Sequence, residues 1–300
     1  MATPRHLLVD PKQRLFYHIT SRCVRRSWLC GFDKVTQQNY NHRKQWFISR
    51  LKELTPNFSI NVHAFAIMAN HFHLIVEYDP TASLKWKNTE VAERWLNVCP
   101  PRNQRGEIDT SYRQFLLEDL VIDEARLANV REKLGSLSVF MKFLKQPIAR
   151  RANKEDEQTG HFFDQRFYSG ALLDKQAVRL AMEYVDLNPI RAKLARNIKE
   201  CDATSVQARI HRRDALSDFL RPVWQGLKNT VVPKITFRDY ISRLDRLIAM
   251  PDQSGKHDET EEWRIAVSLL HKRQRAYGAM QVLKKWLSNR SMRLREQPWP

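Results

Sequence analysis

Residues 61–78 read NVHAFAIMANHFHLIVEY, two apolar runs joined at Ala69-Asn70, with His71 and His73 one residue apart. Successive side chains of a strand point to opposite faces. Both imidazoles therefore leave by one face with Ile75 and Glu77, while Phe72, Leu74, Val76 and Tyr78 fill the other. Two parallel imidazoles on a rigid strand make a ready pair of metal ligands. A buried strand with two incidental histidines is the plainer explanation of that spacing taken alone.

Working outward, residues 58–68 and 72–78 form a strand hairpin closed by Asp79-Pro80. Residues 15–23, LFYHITSRC, read as an earlier strand. Residues 37–54 carry a helical stripe of Tyr40, Trp46, Phe47, Leu51 and Leu54, stopped at Thr55-Pro56-Asn57. Helices are expected at 83–98, 113–120 and 123–133, with a loop at 99–112. Ser136 begins a basic helix over 139–153, with Phe140, Phe143 and Leu144 inward and Lys142, Lys145, Arg150 and Arg151 outward. Its polar face suits a phosphate backbone or simply solvent. Residues 162–173, FFDQRFYSGALL, read as a fourth strand whose interleaved aromatics and arginine suit stacked bases or a core. The order predicts an α+β fold, with an antiparallel sheet and helices packed mainly on one face.

Asp174 caps a helix over 175–187 that ends at Asn188-Pro189. Val178, Ala181, Met182 and Val185 form its buried stripe. Tyr184 and Asn188 are neighbours on the surface of a helix that reaches Asn188. Asn188 could equally N-cap a following helix over 190–195, and Tyr184 could be a core aromatic with a wet tip. Beyond residue 200, short helical pieces at 204–210, 215–219 and 237–247 alternate with loops. The polar loop 251–260 precedes an amphipathic helix over 261–287 with a basic tail.

Composition narrows the partners. The net charge is +18, and residues 1–50 hold ten Lys/Arg against Asp10 and Asp33. Residues 265–300 hold eight against Glu296. So lopsided a chain points to nucleic acid first and acidic lipid second, with a generally basic soluble surface as the plain alternative. Eight glycines in 300 residues favour helix over tight turns. Cys23, Cys30, Cys99 and Cys201 form no paired framework, which suits a reduced cytoplasmic protein. No signal peptide is expected, because Arg5 and Asp10 interrupt the early apolar residues. Residues 57–76 carry no formal charge, but their Asn, His and Ser mark a buried hairpin and not a membrane span.

Four segments resemble the HUH single-tyrosine transposases, especially the REP-associated tyrosine transposases (RAYTs). They are YHITSRCVRR at 17–26, AIMANHFHLIVEY at 66–78, SLSVFMKFLKQPIARRAN with TGHFFDQRFYSG within 136–170, and AMEYVDLNPIRAKL at 181–194. The resemblance implies a ferredoxin-like sheet and a catalytic domain over 1–200, with a helical insertion at 80–135. Residues 201–300 would be a helical basic accessory region. Matched by position, His71 and His73 are the metal ligands, Asn188 the third, polar ligand and Tyr184 the nucleophile. The cofactor implied is Mg²⁺ or Mn²⁺, and the partner single-stranded or hairpin DNA, with homodimer and monomer both open. Arg22, Arg25, Arg26, Arg150, Arg151 and Arg166 are the candidate DNA-binding residues. A protein working on DNA would be associated with the nucleoid. Ala69 stands where Pro commonly precedes the Asn-His pair, a change that should touch the turn and not the chemistry. Two other readings are a DNA- or RNA-binding protein of this fold without catalysis, and a metal-dependent phosphohydrolase that acts through water.

Overall fold

The computed structural model describes residues 4–24, 28–164, 166–211, 220, 235–249 and 258–299. A short helix α1 (Arg5–Leu8) leads into β1 (Leu15–Arg22), followed by a two-residue hairpin of β2 (Phe32–Asp33) and β3 (Gln38–Asn39). Then come α2 (Arg43–Leu54), β4 (Ile60–Ile67) and β5 (His71–Tyr78). Four helices follow, α3 (Asn88–Val98), α4 (Arg113–Ile122), α5 (Glu124–Leu134) and α6 (Leu137–Glu155), before β6 (Tyr168–Leu172). The remainder is α7 (Lys175–Asp186), α8 (Asn188–Arg191), α9 (Ser205–Ile210), α10 (Phe237–Ala249), α11 (Asp258–His271), β7 (Ala276–Tyr277) and α12 (Met280–Ser288).

The sheet order is β4-β5-β1-β6-β7. The pairs β4/β5, β5/β1 and β1/β6 are antiparallel, so β1, α2, β4, β5, α6 and β6 make the split β-α-β-β-α-β arrangement of ferredoxin-like folds. The α+β class and the antiparallel ferredoxin-like sheet expected from the sequence are what the chain adopts. The two strand histidines sit on β5, one strand in from the β4 edge.

The helices are distributed differently from expectation. On one face, Phe72, Leu74, Val76 and Tyr78 pack with Phe47, Leu51, Phe140 and Leu144 of α2 and α6. On the other, Phe16, Ala64, Ala66 and Ile75 pack with Val178, Ala181, Met182 and Val185 of α7 and with Tyr240 and Leu244 of α10. Both faces of β5 are apolar below the histidines, and an apolar sheet face must be covered. The sheet is therefore enclosed on both sides. The histidine pair and α7 share the second side.

Three element boundaries also differ. The helix expected from residue 37 begins at Arg43, because Asp33 accepts from Val35 N and Thr36 Oγ1 and turns the chain into the β2/β3 hairpin. Arg43 is fully buried, donates to Trp28 O and lies 4.1 Å over the Tyr40 ring. The strand expected from residue 162 begins at Tyr168: Phe162 and Phe163 both sink into the α2/α6 core, which breaks the alternation. The long terminal helix is two helices, α11 and α12, separated by β7, which pairs in parallel with β6. Among the described residues, the C-terminal extension is thus mainly helical, with one strand added to the edge of the main sheet. The helical piece expected at 215–219 and the loop at 251–257 lie outside the described residues. Among the described residues, no helix is long and apolar enough to cross a membrane.

Candidate active site

Strand register builds one wall. Thr20 stands opposite His73 and Arg22 opposite His71 on the paired strands β1 and β5. Period two then puts His18, Thr20 and Arg22 of β1 on the same face as the two histidines of β5. The rings of His71 and His73 lie 4.9 Å apart, nearly perpendicular at 83°. His71 Nδ1 lies 2.8 Å from Asn70 Oδ1, which makes Nδ1 the protonated nitrogen and leaves Nε2 with a free lone pair. His73 Nδ1 lies 2.9 Å from His18 Nε2 and 3.1 Å from Thr20 Oγ1. Its Nε2 faces the amide of Asn188, whose Nδ2 is 3.4 Å away.

Tyr184 comes from α7 on the covering layer. Its ring lies 5.6 Å from that of His73 and 5.8 Å from that of His18. Although only 4% of the residue is exposed, it lines the cleft, and among the described residues its hydroxyl makes no hydrogen bond. Asp174 accepts from Ala177 N at the start of α7, as its capping position predicts. The far side of α7 is anchored by two buried acids. Glu183 accepts from Arg243 Nε at 2.7 Å. Asp186 accepts from Val206 N at 2.9 Å, from Tyr240 Oη at 2.7 Å and from Ser205 Oγ. Burial pushes the Glu183 carboxyl up to about 7 despite Arg179 and Arg243, and pushes Asp186 up as well. These contacts tie the helix that carries Tyr184 to α9 and α10.

Arg191, on α8, and His271, at the end of α11, close the third side. The Arg191 guanidinium lies 5.0 Å over the Tyr184 ring and its Nη2 is 3.1 Å from His271 Nε2. The His271 ring is 5.8 Å from that of Tyr184. Arg273 completes the lining of a cleft of about 560 Å³. Among the described residues, three arginines and four histidines face this space, and no acidic residue does. Desolvation and the arginine charges keep the imidazoles neutral: His18 is held down to about 3, His71 to about 4, and His73 well below its usual value. A neutral imidazole has a lone pair to offer, and a cleft ringed by guanidinium groups attracts an anion. Among the described residues, no three His, Cys, Asp or Glu side chains are grouped to hold one metal ion.

The structure therefore brings His71, His73, Tyr184, Asn188 and Arg22 together. Arg150 and Arg151 are elsewhere, exposed on α6 across the sheet, with Arg151 stacked 4.0 Å over Trp46. Arg166 borders a second cleft. Arg25 and Arg26 lie outside the described residues. Sequence reading missed His18, Thr20, Arg191, His271 and Arg273. For the first two the signal was present, since the alternation of LFYHITSRC already aligns them with Arg22. Nothing local marks His271 or Arg273; only the return of β7 to the sheet brings them in.

No family model matches this chain. No curated protein matches it either. Among solved structures, that of a REP-associated tyrosine transposase bound to a REP hairpin is similar, with 12% sequence identity and a TM-score of 0.35 over 78% of this chain and 99% of that one.

Proposed function

We propose that the protein cuts and rejoins DNA strands, with Tyr184 as nucleophile. The observation that carries this reading is the phenol of Tyr184 set against the His71–His73 pair in a cleft ringed by arginines. The four motif segments that resemble the HUH single-tyrosine transposases support it. The substrate would be single-stranded or hairpin DNA, whose backbone is open to attack.

The donor set fits a divalent ion. His71 Nε2 and His73 Nε2 are the lone-pair nitrogens left over once their Nδ1 atoms are engaged. With metal–nitrogen bonds of about 2.1 Å, two imidazoles on one ion place their ring centres about 5 Å apart, near the separation seen here. Asn188, with its amide turned, offers Oδ1 as the third ligand. Mg²⁺ or Mn²⁺ bound there would polarise the phosphate and offset the charge that grows on it.

The chain's own groups do the rest. Arg22 and Arg273 hold the phosphate. The Arg191 guanidinium over the Tyr184 ring sets a positive charge beside the attacking group. Tyr184 Oη bonds to phosphorus and loses its proton to solvent, while the P–O3′ bond breaks and the released oxygen takes up a proton. The product is a 5′-phosphotyrosine and a free 3′-hydroxyl. Attack by a 3′-hydroxyl reverses the step, so strands are rejoined without a nucleotide cofactor.

The test is a denaturing gel with labelled hairpin oligonucleotides and Mg²⁺ or Mn²⁺. The parent protein should form a covalent adduct, Tyr184→Phe should form none while binding DNA normally, and replacing both His71 and His73 by Ala should remove metal-dependent cleavage. An adduct that persists in Tyr184→Phe identifies a different nucleophile. Cleavage without any adduct points to attack by water.

A further inference from the structure

Helix α4 is apolar on both of its sides. Inward, Leu120 is buried, and Leu117 and Val121 pack against the core. Outward, Tyr112 is 63% exposed, Phe115 65% and Ile122 80%. Tyr112 precedes the first turn, and Phe115 and Ile122 follow it at spacings of three and seven, so the three share one side of the helix. The half-buried Leu116 lies beside them. At 1.5 Å per residue the stripe is about 15 Å long. A helix that is apolar all round is one that is covered all round, and a contiguous exposed apolar stripe marks a contact surface.

The charge around this stripe runs against the rest of the chain. The whole protein carries +18, yet residues 107–124 hold six acids against one base, Arg113. Asp119, in the middle of the stripe, pairs with Arg126 at 2.7 Å. Glu118 and Glu124 are exposed, and among the described residues neither forms an ion pair. An acid-edged surface repels polyanions, so neither DNA nor acidic lipid suits it.

Its place in the fold separates it from the Tyr184 cleft as well. Leu120 of α4 and Leu127 and Val130 of α5 join the core on the α2/α6 side of the sheet. Tyr184 belongs to the core on the other side. The backbone groups of α4 are engaged within the helix, so no strand can add to it. A straight apolar stripe of about three turns is a seam on which another helix packs.

We propose that the outer face of α4, with Tyr112, Phe115 and Ile122, docks a basic amphipathic helix of a partner protein. The apolar side of that helix lies along the stripe, and its Lys or Arg side chains meet Glu118 and Glu124. A second copy of this chain is the poorer occupant, because two α4 faces brought together set their acids against one another. The partner tethers the protein from the side of the sheet away from Tyr184 and leaves that cleft open, so the inference stands apart from the strand-joining reading.

The experiment uses full-length protein, fluorescence anisotropy and two fluorescein-labelled peptides of about 18 residues, both made of Leu and Lys. One is patterned so that its leucines share one side of a helix, and the other has the same composition in scrambled order. The parent should bind the patterned peptide at least about tenfold more tightly than the scrambled one. Phe115→Ser/Ile122→Ser should weaken the patterned peptide by at least about tenfold, as truncating the anchors of an interface does. Glu118→Gln/Glu124→Gln should weaken it about threefold and flatten its salt dependence. Val35→Ser, at a 91% exposed position on the β2/β3 hairpin, should bind as the parent does. Equal binding of the two peptides, or parent-like affinity in the Phe115/Ile122 variant, overturns the inference. So does a parent that sediments as a dimer and a variant that sediments as a monomer, since the face then belongs to a second copy. Loss of hairpin DNA binding in the same variant also overturns it, by placing α4 in a DNA interface. Ile122→Ser alone, at an 80% exposed position, decides the matter if the double variant does not fold.

Discussion

His18 and His73 meet edge to edge, 5.1 Å between ring centres and 16° from parallel, with His18 Nε2 2.9 Å from His73 Nδ1. That contact fixes which nitrogen of His73 faces the cleft. Groups that orient a metal-binding imidazole in this way are commonly worth about 10–100-fold in ion affinity. His18→Phe keeps an aromatic ring there but removes the nitrogen. Its affinity for Mn²⁺, measured by calorimetry or electron paramagnetic resonance, should fall within that range while thermal unfolding of the metal-free protein changes little. Unchanged affinity would mean that His18 only packs.

Arg191 should act on the rate and not on binding. Arg191→Ala removes the cation over the Tyr184 ring, and losing one such electrostatic group costs roughly 100-fold in rate. His271→Ala, which frees Arg191 to move, should cost less, about tenfold. Single-turnover adduct formation at saturating DNA reads both. Losses confined to DNA affinity would place these residues in binding instead.

Acid should unfold the protein partly through Glu77. This carboxylate is 2% exposed, and burial alone would raise its pKa. The neighbouring His63, Asn61 and Arg14 outweigh that and hold it down to about 2. A lowered carboxylate pKa contributes stability that is fully present above the unfolded value near 4.5 and is lost as pH falls toward 2. The size is about 3 kcal/mol at neutral pH, from roughly 1.4 kcal/mol per pKa unit. In urea titrations, Glu77→Gln should be less stable than the parent at pH 7, and the gap should close steadily below pH 4.5. A gap that does not change with pH would assign the loss to packing.

The buried acids behind Tyr184 hold its helix in place. Asp186→Ala leaves Tyr240 Oη, Ser205 Oγ and Val206 N without their shared acceptor, and should cost about 3–5 kcal/mol. Urea unfolding measures this loss. Asp186→Asn keeps an acceptor oxygen and should recover a good part of it.

Much of this molecule could be read in advance, and the exceptions have physical causes. The β4/β5 hairpin was legible because period-two alternation over eight residues leaves little choice of face. The starts of α6 and α7 were legible because Ser136 and Asp174 cap them as their residue types predict. The β2/β3 hairpin was not, since two-residue strands carry no period and Tyr40 fell by chance on the helical stripe of α2. His18 was passed over because one histidine in an apolar strand looks like core; it needed the pairing with β5 to gain meaning. His271 and Arg273 were out of reach: their place depends on a parallel pairing with a strand about a hundred residues earlier, a contact that no local pattern encodes.

The parallel pairing of β7 with β6 also sets an order in time. A ribosome that has passed Asn188 has already made the tyrosine, both β5 histidines and the amide beside them. The opposite bank, with its imidazole and guanidinium, is translated some eighty residues later. A chain halted in between carries Tyr184 without His271 and Arg273.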